Sequence, residues 1–162
     1  MPRLTFSTAD LYDQYESEVQ VALPGFNDYG GRKRFSGPVS TTRVFEDNSL
    51  VRSALEEKGE GRVLVVDGGE SMRCALVGDR LAQLALDNGW SGIIVSGCIR
   101  DAAVIAGIDI GIKALGTNPR KSVKKNSGER DVQVSFFGVT INPGDYVYAD
   151  EDGILVSTGS LI

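Results

Sequence analysis

Apolar and polar positions repeat along this chain with two different periods, and the changes of period mark out its elements. The clearest stretch runs from Gly78 to Asp101. Leu81, Leu84 and Ala85 recur at helical spacing and Asn88-Gly89 supplies a left-handed stop, which predicts a short helix. Asp79 stands at its start as the expected N-cap, a carboxylate able to accept the free N–H groups of the first turn. Gly92-Ile93-Ile94-Val95-Ser96 is too short and too β-branched for a helix and predicts a buried strand, followed by Arg100-Asp101. Arg62-Val63-Leu64-Val65-Val66-Asp67 is a second apolar run, a strand feeding Gly68-Gly69, and is expected beside Ile93–Val95.

The same reading extends to both ends. Ser7-Thr8 opens a capped amphipathic helix over 7–17, and Asp47-Asn48-Ser49 caps another from Leu50 to Lys58, closed by Gly59. Residues 24–32 are turn-rich, and Pro38 to Phe45 is strand-like. Ala102 to Ile105 fits one helical turn, and Ile108 to Leu115 returns as a strand. The tail predicts strands over Val132–Val139, Tyr146–Ala149 and Ile154–Ser157, with turns at Asn142–Asp145 and Asp150–Gly153. The acidic run Asp150-Glu151-Asp152 is explained better by a hairpin tip than by a metal cluster. Helices alternating with buried strands give an α/β fold, and 162 residues suit one domain, 1–162.

Composition then narrows the chemistry. The net charge of −5 argues against nucleic acid as the main partner. No apolar run reaches membrane-spanning length, and the N-terminus lacks a signal-peptide pattern. Cys74 and Cys98 lie in apolar surroundings without metal spacing, as reduced thiols of a cytoplasmic protein would. There is no histidine, which excludes the usual zinc sites and the Ser–His and Cys–His nucleophile pairs. Acid–base work falls to carboxylates, Lys, Tyr or water, and a metal would be oxygen-ligated Mg²⁺ or Mn²⁺. Gly-Gly-Glu-Ser at 68–71 lacks the Gly-Lys-Ser/Thr of a phosphate loop. The basic cluster Arg120-Lys121-Ser122-Val123-Lys124-Lys125 reads as a solvated surface loop, with a docking patch for an acidic partner as the alternative.

The candidate site is the 78–101 stretch itself. A helix start presents unpaired N–H groups and partial positive charge, and Gly78 keeps side-chain atoms away from them. Arg100 offers a planar fork for a carboxylate and Asp101 a hard oxygen for a metal. A solvated ion pair between Arg100 and Asp101, with Asp79 only a cap, fits the same spacing.

Val-Leu-Val-Val-Asp-Gly-Gly at 63–69, Ala-Leu-Val-Gly-Asp at 75–79, Ser-Gly-Cys-Ile-Arg-Asp at 96–101 and Gly-Asp-Tyr-Val-Tyr-Ala-Asp-Glu-Asp-Gly-Ile at 144–154 together resemble one family. It is the group called regulator of ribonuclease activity A, which includes the class II 4-hydroxy-4-methyl-2-oxoglutarate aldolases. The resemblance covers essentially the whole chain. It implies a swivelling β/β/α domain, with central sheets flanked by short helices. It implies homotrimeric rings, with a dimer of trimers as a further assembly, and an active site between subunits. The aldolases carry an Asp, twenty residues, then Arg-Asp, matched here by Asp79, Arg100 and Asp101. By that resemblance Arg100 and the amides of Gly78, Asp79, Arg80 and Leu81 hold the pyruvyl carboxylate of a small 2-keto acid. Asp101 holds the divalent metal, Mg or Mn, partly through water, and Asp79 orients a water or a proton.

Two departures stand beside this match. Longer aldolases have a C-terminal helix that brings a carboxylate into the neighbouring site, whereas this sequence ends at Ile162. Ribonuclease regulators have about this length, and some lack the Arg-Asp pair. Two functions are therefore expected. One is a metal-dependent aldolase and oxaloacetate decarboxylase working through a pyruvate enolate. The alternative is a non-catalytic protein that binds and inhibits ribonuclease E.

Overall fold

The computed structural model describes residues 5–162. From the N-terminus come α1 (Thr8–Tyr15), β1 (Val19–Val21), β2 (Asn27–Asp28), β3 (Phe35–Arg43), α2 (Ser49–Leu55), β4 (Val63–Asp67) and β5 (Ala75–Val77). There follow α3 (Asp79–Asp87), β6 (Gly92–Ile99), α4 (Ala102–Ile105), β7 (Gly111–Thr117), β8 (Glu129–Arg130), β9 (Val134–Phe136), β10 (Val139–Ile141), β11 (Tyr146–Asp150) and β12 (Gly153–Ser157).

β3 joins two kinds of sheet. Its first half pairs antiparallel with β11, which continues to β12 and β1. Its second half pairs parallel with β4, which continues through β6 to β7. β4 lies beside β6 as expected, with Val65 opposite Ile94. Alternation along β4 shows the layering: Leu64 and Val66 join the core under α2 and α3, while Val63 and Val65 face the antiparallel strands. The result is a β/β/α stack, the α/β architecture the sequence predicts. Burying each such aliphatic side chain contributes roughly 1.5–3 kcal/mol relative to exposure. No helix among the described residues is long and apolar enough to cross a membrane.

Several boundaries differ from the sequence reading, each for a physical reason. Val132–Val139 is not one strand: β9 and β10 form a hairpin with Val139 opposite Phe136. Phe137 and Gly138 between them both have positive φ, at 46° and 78°, as a type I′ turn needs. The Phe137 ring packs 5.0 Å from that of Phe26, so burial holds an aromatic residue where glycine or asparagine is usual. β7 starts at Gly111 rather than Ile108, because Ile108 and Ile110 give their carbonyls to Gly31 and Arg32 instead of a ladder. The 24–32 loop contains β2, held to β7 by an ion pair between Asp28 and the buried Lys113 at 2.9 Å. β3 begins at Phe35, whose ring covers paired Gly92 and Gly111; a Cβ on either would collide with it. The second helix ends at Leu55, short of Lys58, and the first at Tyr15.

α1 is capped twice. Ser7 Oγ accepts the Asp10 N–H, and the buried Asp150 carboxylate accepts both the N–H and the hydroxyl of Thr8. Asp150 thus ends β11 as a cap for α1, with Glu151-Asp152 at the hairpin tip. At the other side of the stack, α3 closes as the sequence predicts: Gly89 has φ 82°, and the Gly89 and Trp90 N–H groups return to Leu86 and Ala85.

Candidate functional site

The parallel pairing of β5 with β6 brings the ends of both strands together, where open α/β sheets place their ligands. Arg100 N–H donates to the Val77 carbonyl at 2.9 Å, so Gly78 and the Arg100-Asp101 pair lie side by side. The N-cap of α3 is Gly78, not Asp79, which is the first helical residue. The cap is supplied across the gap instead: Asp101 Oδ2 accepts the Asp79 N–H at 3.0 Å. A carboxylate twenty-two residues downstream leaves no local pattern, which is why the sequence points to Asp79. Arg80 and Leu81, in the first turn, keep N–H groups that the helix itself cannot satisfy.

Asp101 is held in an unusual way. Its backbone is left-handed, φ 61° and ψ 37°, turning the chain from β6 into α4. Such a conformation costs a non-glycine residue of order 1–3 kcal/mol. Gly78 accommodates its carboxylate: a Cβ there would lie 2.9 Å from Asp101 Oδ2 and 3.5 Å from Arg100 Nε. The Asp79 N–H does most to hold the Asp101 carboxyl below the usual carboxylate range, against partial desolvation, with the Asp79 side chain and the Arg100 charge assisting.

A cavity of about 580 Å³ opens over this junction. One wall is Gly78, Asp79, Arg80 and Leu81, with Arg100 and Asp101 beside them, so all six residues singled out in the sequence meet there. The other walls were not legible. Asn48 is the N-cap of α2 and Arg52 lies in its last turn, while Lys121, Ser122 and Lys124 come from the basic cluster. That cluster is not a freely solvated loop. The Arg120 carbonyl accepts the Ala75 N–H, Ser122 Oγ accepts the Asn48 N–H, and Val123 N–H reaches the Glu46 carbonyl.

Asp47 anchors the segment. One of its oxygens takes the N–H and hydroxyl of Ser49, and the other takes Lys125 N–H together with the N–H and hydroxyl of Ser127. Burial by itself would push the Asp47 carboxyl up; these bonds outweigh it and hold the carboxyl well below the usual range. The sequence identified Asp47 only as part of a helix cap.

The cavity is electropositive. Five basic and two acidic side chains line it, in a chain of net charge −5. Arg52, Arg80, Lys121 and Lys124 form no ion pair among the described residues, whereas Arg32, Arg34, Arg43, Arg62, Arg73 and Arg130 each do. Such a lining suits an anionic ligand. Among the described residues no three His, Cys, Asp or Glu side chains gather as a ready-made metal cage. Asp101 and Asp79 remain as hard oxygen donors. Burial pushes the Cys74 and Cys98 thiols up, away from the reactive thiolate form.

A family model described as RraA-like, Aldolase/RraA, matches residues 8–156. A protein of Alkalilimnicola ehrlichii with the provisional name 4-hydroxy-4-methyl-2-oxoglutarate aldolase is 60% identical over 159 residues, covering 98% of this chain and 99% of the relative. Among solved structures, the RNA-processing inhibitor RraA of Thermus thermophilis is similar with a TM-score of 0.93 at 45% identity, covering 98% of each chain. One from Geobacillus kaustophilus, described as an S-adenosylmethionine:2-dimethylmenaquinone methyltransferase, has a TM-score of 0.95 at 54% identity, covering 96% of this chain and 97% of that one. Three different activities are attached to one backbone, so the site and not the fold must choose between them. With the family model spanning 8–156 and such relatives aligned nearly end to end, the chain belongs to the Aldolase/RraA family.

Proposed function

We propose that this protein is a carbon–carbon lyase that releases pyruvate from 4-hydroxy-4-methyl-2-oxoglutarate and decarboxylates oxaloacetate through the same pyruvate enolate. One observation carries the reading: Arg100, Asp101 and the first turn of α3 share one electropositive cavity. Arg100 takes the C1 carboxylate of the 2-keto acid as a planar fork, and the Arg80 and Leu81 N–H groups share it. The Asp79 N–H is already committed to Asp101, so it is not among those donors. In the aldol cleavage the C3–C4 bond breaks and its electron pair passes to C3 and into the 2-keto group. The C4 hydroxyl gives up its proton, which Asp79 receives directly or through a water, and one pyruvate departs. Protonation at C3 completes the second. With oxaloacetate the same electron pair is left as CO₂ departs.

The donor set fits a hard divalent cation such as Mg²⁺ or Mn²⁺, which keeps several waters and binds through one or two carboxylates. Asp101 spends one oxygen on Asp79 and keeps the other for this purpose. When bound, the cation supplies Lewis-acid stabilisation of negative charge on the 2-keto oxygen. Exchange of the pyruvate methyl protons in D₂O, followed by NMR with Mg²⁺ present, reads enolate formation alone. The wild-type protein is expected to catalyse it and Arg100→Ala to lose it. No exchange above background with the wild type contradicts the lyase reading.

The likeness to the Thermus RNA-processing inhibitor supports a second reading, a homotrimeric, non-catalytic protein that docks on ribonuclease E. A net charge of −5 per chain suits an Arg-rich segment as its target. Such a segment should be retained by the protein at low salt and released at high salt. Absence of retention at low salt removes this reading.

A further inference from the structure

We infer that Arg52, Lys121 and Lys124 form a second carboxylate subsite, which favours 2-keto acids that carry a second, distal carboxylate over those that do not. The inference rests on the lyase reading for the position of the C1 carboxylate at Arg100, and goes beyond it in assigning the other end of the ligand.

A 2-keto monocarboxylate needs one guanidinium, and Arg100 supplies it. Three further cations line the cavity away from the α3 wall, and none of them meets a carboxylate of the described protein. Six arginines elsewhere are ion-paired, whereas among the described residues Lys33, Lys58, Arg120 and Lys125 are not, so what marks the cavity is the gathering of three unpaired cations around one concavity. Like charges gathered around one concavity repel, and an anion bound among them removes that penalty.

The second observation is rigidity. Lys121 pairs with Ala75 as an isolated bridge, and Ser122 and Val123 are bonded to Asn48 and Glu46. Lys125 and Ser127 are bonded to the buried Asp47. Backbone bonds thus flank Lys124 on both sides and fix Lys121 at the edge of β5. A free surface loop would not need this lacing; a preformed anion site does, because the ordering cost is then met on folding and not on binding.

2-Oxoglutarate and 2-oxopentanoate differ only in carrying a carboxylate or a methyl at C5, and titration calorimetry in Mg²⁺ compares them directly. The wild-type protein should bind 2-oxoglutarate tighter by at least about tenfold, as expected for charge-assisted hydrogen bonds. In the double variant Lys121→Gln/Lys124→Gln that ratio should fall towards one, and in Lys121→Arg/Lys124→Arg it should persist. Because the readout is a ratio within one protein, a general loss of folding does not imitate it. Equal affinities in the wild type, or an unchanged ratio in the Gln double variant, overturn the subsite. A preserved preference without exchange of pyruvate methyl protons leaves the subsite standing and removes the lyase.

Discussion

At the scale of single residues, Gly78 and Asp101 define each other. The glycine has an extended φ of −120°, so its role is space, not backbone freedom. Gly78→Ala should fold normally but push the Asp101 carboxylate off the Asp79 N–H, lowering pyruvate release at least about tenfold with little change in melting temperature. A wild-type rate in that variant would show that the close approach is incidental. That Gly78, Arg100 and Asp101 would come together was legible in the sequence, because a strand end and a helix start are marked by adjacent or regularly spaced residues. The capping role of Asp101 was not, because its partner N–H lies twenty-two positions away and only the β5–β6 pairing brings them together.

Among the elements, the segment from Asn118 to Arg130 departs most from its sequence reading. Its polar, basic composition is that of a solvated loop, and nothing local reveals that Asp47 holds it. Five hydrogen bonds to one buried carboxylate make Asp47→Ala expensive, about 3 kcal/mol or more by denaturant unfolding. Folding lowers the Asp47 pKa, so its stabilisation is complete above the ordinary value of 3.8 and is lost as pH falls below it. The stability gap between wild type and Asp47→Asn should therefore narrow on acidification below about pH 4. A gap that is constant down to pH 2 would show that the charge is not what matters. The buried strands β4 and β6 were legible because a continuous apolar run has few alternatives. The β9–β10 hairpin was not, since Gly138 is the one turn signal it carries and the first central position is filled by Phe137, packed against Phe26.

For the whole molecule, the distribution of charge matters more than its sum. The acidic excess lies outside a cavity that five cations line, an arrangement suited to drawing small anions to one place on the surface. The kcat/KM for 4-hydroxy-4-methyl-2-oxoglutarate should fall as ionic strength rises from about 0.01 to 0.3 M, since screening shortens the reach of these charges. Independence of salt would mean that the lining does not steer. The lyase reading requires Asp101 to place a divalent cation beside the keto acid that Arg100 holds. It is tested most directly by Mg²⁺-dependent pyruvate release from 4-hydroxy-4-methyl-2-oxoglutarate in the wild type and in Asp101→Ala. The account predicts metal-dependent release in the wild type and a loss of at least about a hundredfold in the variant; release by Asp101→Ala at the wild-type rate, with the same dependence on Mg²⁺, would contradict it.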